Sequence, residues 1–345
     1  MDPYTLHARL QHFPRLAYSR YPTPLQPLKN LSRQLDGPQL WLKRDDDIGP
    51  GLGGNKGRKL EFLMAAVLAQ QKRRVVTYGG LQSNHARMTA AACAALGLEA
   101  HLFFFERRPP RLEGNLLLDQ LFGARLHFIP FGGGGDASMT LERTNRLVRL
   151  VAAFFAGPRA YFMPVGGHNL TGCLGYVAAS LELHQQVLAI EALDPTKVTV
   201  VTAVGTGGTL AGLLAGLALL DSPIRLLGID VGKLWKALPA SVARLASRLC
   251  TALGQPHTFT AADVPLIEGT YVGPGYAAFT AEAEAAIRTL AQREGVILDP
   301  VYTGKALAGL LDLIKNGRFT PDETVIFIHT GGLPGLWAFA DQFSR

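Results

Sequence analysis

Apolar positions along this chain alternate between two rhythms. Short runs rich in Val, Ile, Leu and Phe recur at 40–44, 74–78, 100–105, 125–129, 161–163, 198–203, 224–230 and 324–328, and each predicts a β-strand. Between them lie stretches with apolar residues three and four apart. Leu60, Leu63, Met64 and Val67 predict a helix over 55–70, and the same spacing predicts helices over 28–35, 84–96, 115–122, 139–155, 174–186, 209–219 and 280–295. Strand, helix, strand in succession is the signature of parallel βαβ units. No fixed-period repeat is present. The pattern predicts an α/β fold of two open, mainly parallel sheets flanked by helices, the second interrupting the first. A large domain of 1–52 and 168–345 and a small domain of 53–167 would leave a cleft between them, where ligands bind at the carboxyl ends of strands. The glycine run 132–135 reads as a flexible loop.

One stretch tests that reading. Residues 198–220 carry no charge, yet Gly205-Thr206-Gly207-Gly208-Thr209 sits in their middle. A strand, a glycine turn and a buried helix fit this better than a membrane span. The N-terminus has no basic segment followed by an apolar one, so no signal peptide is expected. Hydrophobic residues make up 48% and charged residues 18% of the 345, a globular composition with enough length for a large core. The net charge of +7 comes from scattered basic residues, which argues for solvated surface rather than a nucleic-acid groove and leaves room for an anionic ligand. Cys93, Cys173 and Cys250 lie far apart with no metal spacing, so neither a zinc site nor a disulfide framework is expected. A cytoplasmic setting follows from these readings.

Candidate chemistry clusters at the turns. Gly53-Gly54-Asn55-Lys56 places a lysine in the first turn of a helix, where the dipole disfavours a positive charge and sharpens the amine as a nucleophile for carbonyls. Gly205-Thr206-Gly207-Gly208-Thr209 joins a strand to a helix and suits a single phosphate, because its glycines admit close approach and its amides and hydroxyls donate. It has neither the Walker lysine nor dinucleotide spacing. Gly79 to His85 also joins strand to helix, with Ser83 and Asn84 as helix caps or cleft residues and His85 as their neighbour. Asp299–Lys305 and Ile328-His329-Thr330-Gly331-Gly332 are two further turns. Without covalent chemistry, the same loops would describe a phosphate-ligand binding protein.

Taken together and in order, these segments resemble the tryptophan-synthase-β-like pyridoxal-phosphate enzymes. They are most similar to the family of D-cysteine desulfhydrase and 1-aminocyclopropane-1-carboxylate deaminase. The resemblance runs from Phe13-Pro14-Arg15-Leu16 and Pro22-Thr23-Pro24-Leu25 through Lys43-Arg44-Asp45-Asp46, Gly53–Glu61 and Gln82-Ser83-Asn84-His85 to Asp299–Lys305 and His329–Gly332. It implies pyridoxal 5'-phosphate held by Lys56 as a Schiff base, its phosphate by Gly205, Thr206, Gly207, Gly208 and Thr209, its ring hydroxyl by Asn84 and its pyridine nitrogen by Thr330. Ser83, Asn84, His85, Tyr302 and Thr303 would meet a small amino-acid substrate, and Lys56, Ser83, Tyr276 and Tyr302 would be catalytic. A homodimer is implied as well, with no nucleic acid, membrane or metal. Thr303 stands where the deaminases carry glutamate and Thr330 where they carry leucine, so both point to the desulfhydrase branch: D-cysteine to pyruvate, ammonia and hydrogen sulfide. Deaminase and L-cysteate sulfo-lyase activities are the alternatives. His168 replaces a serine of the desulfhydrase pattern, and a packed histidine is the expected outcome.

Overall fold

The computed structural model describes residues 1–130 and 139–344, so the glycine run 132–135 lies outside the described residues. Ten strands form two sheets: β1 (Leu25–Pro27), β2 (Gln39–Lys43), β3 (Arg74–Tyr78), β4 (Glu99–Phe104), β5 (Arg125–Phe128), β6 (Tyr161–Phe162), β7 (Val198–Val204), β8 (Arg225–Asp230), β9 (Leu266–Ile267) and β10 (Thr324–Ile328). The six-stranded sheet runs β1-β2-β10-β7-β8-β9 and the four-stranded sheet β5-β4-β3-β6. Among these pairings β1 with β2 is antiparallel and the others are parallel. All eight strands predicted from the sequence are present within a residue or two, with β1 and β9 added as short edges.

The uncharged stretch 198–220 resolves as expected. Every residue of β7 is buried, as a central parallel strand requires. The helix Gly208–Leu219 that follows packs on the helix Leu170–Ala189. That approach is close because two glycines face it. A Cβ at Gly212 would lie 2.5 Å from Tyr176 Cβ, and one at Gly216 2.5 Å from Ser180 Cβ. Apolar residues of the helix Leu238–Ala252 close the same core from the other side, Leu245 and Leu249 among them. No described helix is long and apolar enough to cross a membrane.

The helix Lys56–Ala69 is fixed by a buried ionic cluster at its first turn. Arg58 Nε donates to Asp45 Oδ2 at 2.8 Å and its Nη2 to Asp45 Oδ1 at 2.7 Å. Its Nη1 donates to Glu182 Oε2 at 2.9 Å, and Lys43 donates to the same carboxylate and to the Thr23 carbonyl. Tyr176 Oη donates to Asp45 Oδ2 at 2.7 Å. A fully buried guanidinium needs this many acceptors to offset its lost hydration. With Arg58 held on one side, the helix turns Lys56 and Lys59 the other way.

Gly57 has a packing reason. A Cβ there would come within 2.8 Å of Gly49 Cα and 2.9 Å of the Ile48 carbonyl, so the glycine loop can lie directly against the helix start.

Candidate active site

A cavity of about 1350 Å³ opens between the two sheets. The turns after β3, β7 and β10 all reach it, as expected for the carboxyl ends of parallel strands. Lys56, Ser83, Asn84, His85, Gly205, Thr206, Gly207, Gly208, Thr209, Tyr276, Tyr302 and Thr330 all line it. These residues come from across the sequence, and the fold brings them to one wall-and-floor surface.

Lys56 is the first residue of its helix and keeps some surface toward the cavity. Its amine is nonetheless held well below the usual lysine range, first by burial in the cleft floor and then by the neighbouring Lys59 ammonium. The helix dipole invoked from the sequence acts in the same direction, but burial dominates. Burial likewise lowers Lys59, which is fully buried and donates to the Gly166 carbonyl at 3.0 Å. No ion pair joins either lysine to a carboxylate among the described residues. A buried lysine pair with no carboxylate beside it calls for an anion.

The Gly/Thr loop supplies the place for it. Gly207 adopts φ +79°, the left-handed region, and the helix starts at Gly208 with its free amides at the cavity. A Cβ at Gly208 would meet Lys59 Nζ at 2.8 Å and Cys173 Sγ at 3.0 Å, so Lys59 sits directly beneath the loop. Thr209 Oγ1 accepts from Asn55 Nδ2 at 3.0 Å. A phosphate group fits this cradle in charge, size and donor chemistry.

Ser83 serves two ends. Its hydroxyl caps the helix Asn84–Ala95 by accepting from the Ala86 amide at 3.2 Å, and the same residue borders the cavity. Asn84 Oδ1 accepts from Asn115 Nδ2 at 3.1 Å, and Asn115 Oδ1 accepts from Arg87 Nε at 2.6 Å. That chain occupies the Asn84 oxygen and leaves its NH₂ to face a ligand. Neither ring nitrogen of His85 has a partner. Burial, then the two lysines, holds its imidazole well below the usual histidine range, so it is neutral.

Tyr276 and Tyr302 share a short hydroxyl–hydroxyl hydrogen bond. Burial pushes the Tyr276 phenol up to about 12 and the Tyr302 phenol well above its ordinary value. Both hold their protons. Gly80 makes room for the first of them, since a Cβ there would lie 2.7 Å from Tyr276 Cε1.

Thr303 departs from expectation. It is completely buried and is not among the lining residues. Its hydroxyl donates to Asp299 Oδ1 at 2.6 Å and accepts from the Asp299 amide at 2.9 Å. The Asp299 carboxylate also accepts from the amides of Val301, Tyr302 and Thr303. Thr303 is thus the first residue of the helix Thr303–Lys315 and closes its cap, while Tyr302 just before it faces the cavity. His168 is packed as expected: its Nε2 lies 3.3 Å from Ser241 Oγ, and burial, then Lys59, pushes its pKa down to about 3.

Two residues with a share in the site went unnoticed in the sequence, Asn55 and Lys59. The signal for Lys59 was available: a second lysine three positions after Lys56 in a largely apolar helix lies on the same face.

Comparisons with known proteins agree with this geometry. The family described as pyridoxal-phosphate dependent enzyme matches residues 16–331. A D-cysteine desulfhydrase of Yersinia pestis (strain Pestoides F) is 40% identical, with 98% of this chain and 99% of that protein covered. The crystal structure of an ACC deaminase homologue superposes with a TM-score of 0.84 at 36% identity, covering 100% of this chain and 99% of that one. A fungal L-serine ammonia-lyase from Rhizomucor miehei shares the fold, with a TM-score of 0.62 at 18% identity, covering 95% and 99% of the two chains. With the family matched over most of its length and an anion cradle beside a lysine of weakened basicity, the chain belongs to the pyridoxal-phosphate-dependent enzymes.

Proposed function

We propose that the chain catalyses β-elimination of D-cysteine to pyruvate, ammonia and hydrogen sulfide. One observation carries this reading: the lysine of weakened basicity, the phosphate cradle and the tyrosine pair converge on one cavity. The 40% identity to a D-cysteine desulfhydrase supports the choice of substrate.

Bound pyridoxal phosphate supplies an electron sink for the pair left when the substrate's α-proton departs. Lys56 is the covalent attachment point and the base that takes that proton, since burial lowers its pKa and so favours the neutral amine that both roles need. The loop Gly205, Thr206, Gly207, Gly208 and Thr209 would hold the cofactor's phosphate, with Lys59 beneath as the counter-charge. Asn84, whose NH₂ is left to face the cavity, and Thr330 would meet the cofactor's ring. Ser83, Asn84 and His85 receive the substrate carboxylate. The Tyr276–Tyr302 pair presents a proton to the departing sulfur. The apolar wall of Phe105, Val148, Val151 and Trp235 limits water near the reacting carbon.

Residues 53–167 are proposed as an inserted small domain, supported by the confinement of β3 to β6 to that interval. A homodimer rests on the family resemblance, and sedimentation of the holoenzyme tests it. A cytoplasmic setting is supported by three buried, unpaired cysteines.

The test is a panel of D-cysteine, L-cysteine, L-cysteate, β-chloro-D-alanine and aminocyclopropane carboxylate, scored for pyruvate and α-ketobutyrate. D-Cysteine should be the fastest source of sulfide. Borohydride reduction should fix the cofactor to the peptide containing Lys56, and Lys56→Ala should turn over nothing. Labelling of a different lysine sinks the assignment. The second reading, cyclopropane deamination, is favoured by the 36%-identical ACC deaminase homologue and predicts α-ketobutyrate instead.

A further inference from the structure

The helix Thr303–Lys315 has a second task besides carrying Tyr302 at its start. Three of its residues, Lys305, Gly309 and Asp312, lie four and then three positions apart, so they share one face. All three grip the loop that delivers Tyr276. Lys305 is 1% exposed, and its ammonium donates to the Val272 carbonyl at 2.7 Å and the Gly275 carbonyl at 3.0 Å. Gly309 lets the Tyr271 ring lie flat on the helix, since a Cβ there would come within 2.7 Å of Tyr271 Cδ2. Asp312 Oδ2 accepts from the Tyr271 hydroxyl at 2.7 Å. The loop needs such help, because it belongs to neither sheet and holds Gly273 at φ +70° and Ala277 at φ +57°.

We propose that Lys305 is a positioning residue for the elimination reaction: it clamps the 271–276 loop to the helix that bears Tyr302, and so sets the Tyr276 hydroxyl against that of Tyr302. The inference rests on the reading of Tyr276 as a residue that serves the substrate. A charged donor suits the task better than a neutral one. One ammonium carries three N–H groups and can satisfy two carbonyls from one turn, and hydrogen bonds from an ion are the stronger kind. Burial pushes this amine down to about 8, so most of it is still charged at neutral pH. The carbonyl of Gly275 is the last backbone acceptor before Tyr276, which leaves little slack between clamp and hydroxyl.

The test combines kinetics with hydrogen exchange on the holoenzyme and its variants. Lys305→Met should lower kcat for D-cysteine ten-fold or more, keep cofactor affinity within two-fold, and raise amide exchange across residues 272–278 above that of the rest of the chain. In a Tyr276→Phe background, the same substitution should cost less than three-fold further, because its effect passes through that hydroxyl. Tyr271→Phe loosens the loop from its far end and should give a smaller loss of the same kind. It also keeps the idea testable if Lys305→Met does not fold. Unchanged exchange across 272–278, or a loss in kcat equally large with and without the Tyr276 hydroxyl, overturns the clamp. Faster exchange with a Tyr276→Phe enzyme of full activity supports the clamp and overturns the role given to Tyr276.

Discussion

Asn55 Nδ2 donates to Thr209 Oγ1 at 3.0 Å, tying the residue before Lys56 to the end of the phosphate loop 154 positions later. The bond sets the distance between the two points proposed to hold the cofactor, Lys56 and the loop that ends at Thr209. Asn55→Ala should therefore weaken cofactor binding by about two- to twelve-fold, the worth of one buried hydrogen bond of ~0.5–1.5 kcal/mol. Titration of the apoprotein with pyridoxal phosphate, followed by its visible absorption, checks this. Affinity within error of the parent would show that the bond is incidental.

Gly208→Val should abolish high-affinity cofactor binding while the chain still folds. The added Cβ meets Lys59 Nζ at 2.8 Å and Cys173 Sγ at 3.0 Å, so the branched side chain displaces the ammonium that sits beneath the loop. Circular dichroism should stay that of the parent while the dissociation constant rises at least ten-fold. A folded variant that binds as before removes the phosphate from this loop.

Stability should fall on the acid side through Glu182. Burial alone would raise its carboxyl, but the hydrogen bonds and charges of Arg58 and Lys43 win and hold it down to about 2, against an ordinary value of 4.5. A depressed pKa contributes stability that is fully present above the ordinary value and is lost as pH falls through 4.5 toward 2, on the order of 3 kcal/mol in all. Melting temperature against pH should drop steeply in that window. Glu182→Gln should be less stable at pH 7 and show a shallower acid limb. Parallel limbs in the two proteins would assign the acid loss to other groups.

Thr303→Val should behave as a structural variant. It removes the hydroxyl that both donates to and accepts from Asp299, at a cost of about 1–3 kcal/mol for the buried groups left unpaired. We expect a lower melting temperature with kcat for D-cysteine within about three-fold. A selective change in substrate preference, at unchanged stability, would return Thr303 to the substrate site.

Much of this molecule was legible in its sequence. The parallel strands announced themselves because a strand buried on both faces is written as a run such as Val198–Val204, and the glycine turns marked where those strands end at the cleft. Lys56 was legible because it follows Gly53 and Gly54 so closely. Other elements were not. The helices Pro3–Leu10, Leu238–Ala252 and Thr303–Lys315 escaped notice, the last because Asp299 to Lys305 looked like a turn and its start is capped by Asp299, four residues before Thr303, rather than by the residue next to it. The direction of Thr303 was beyond reach for the same reason. Tyr302 and Thr303 are neighbours in sequence, and only the helix start decides which of them faces the cavity. Lys59 and Asn55 were missed because their partners, Gly166 and Thr209, lie far along the chain.

The pairing of β2 with β10 has a consequence for biosynthesis. Gln39 to Lys43 align with Thr324 to Ile328, so the centre of the larger sheet closes only after residues 324–328 have left the ribosome. The four-stranded sheet, built entirely from residues 74–162, has all its partners much earlier. A half-made chain can thus hold Lys56 but lacks both the phosphate loop and Thr330. The surface that surrounds Lys56 is therefore assembled only once residues 324–330 have joined the sheet.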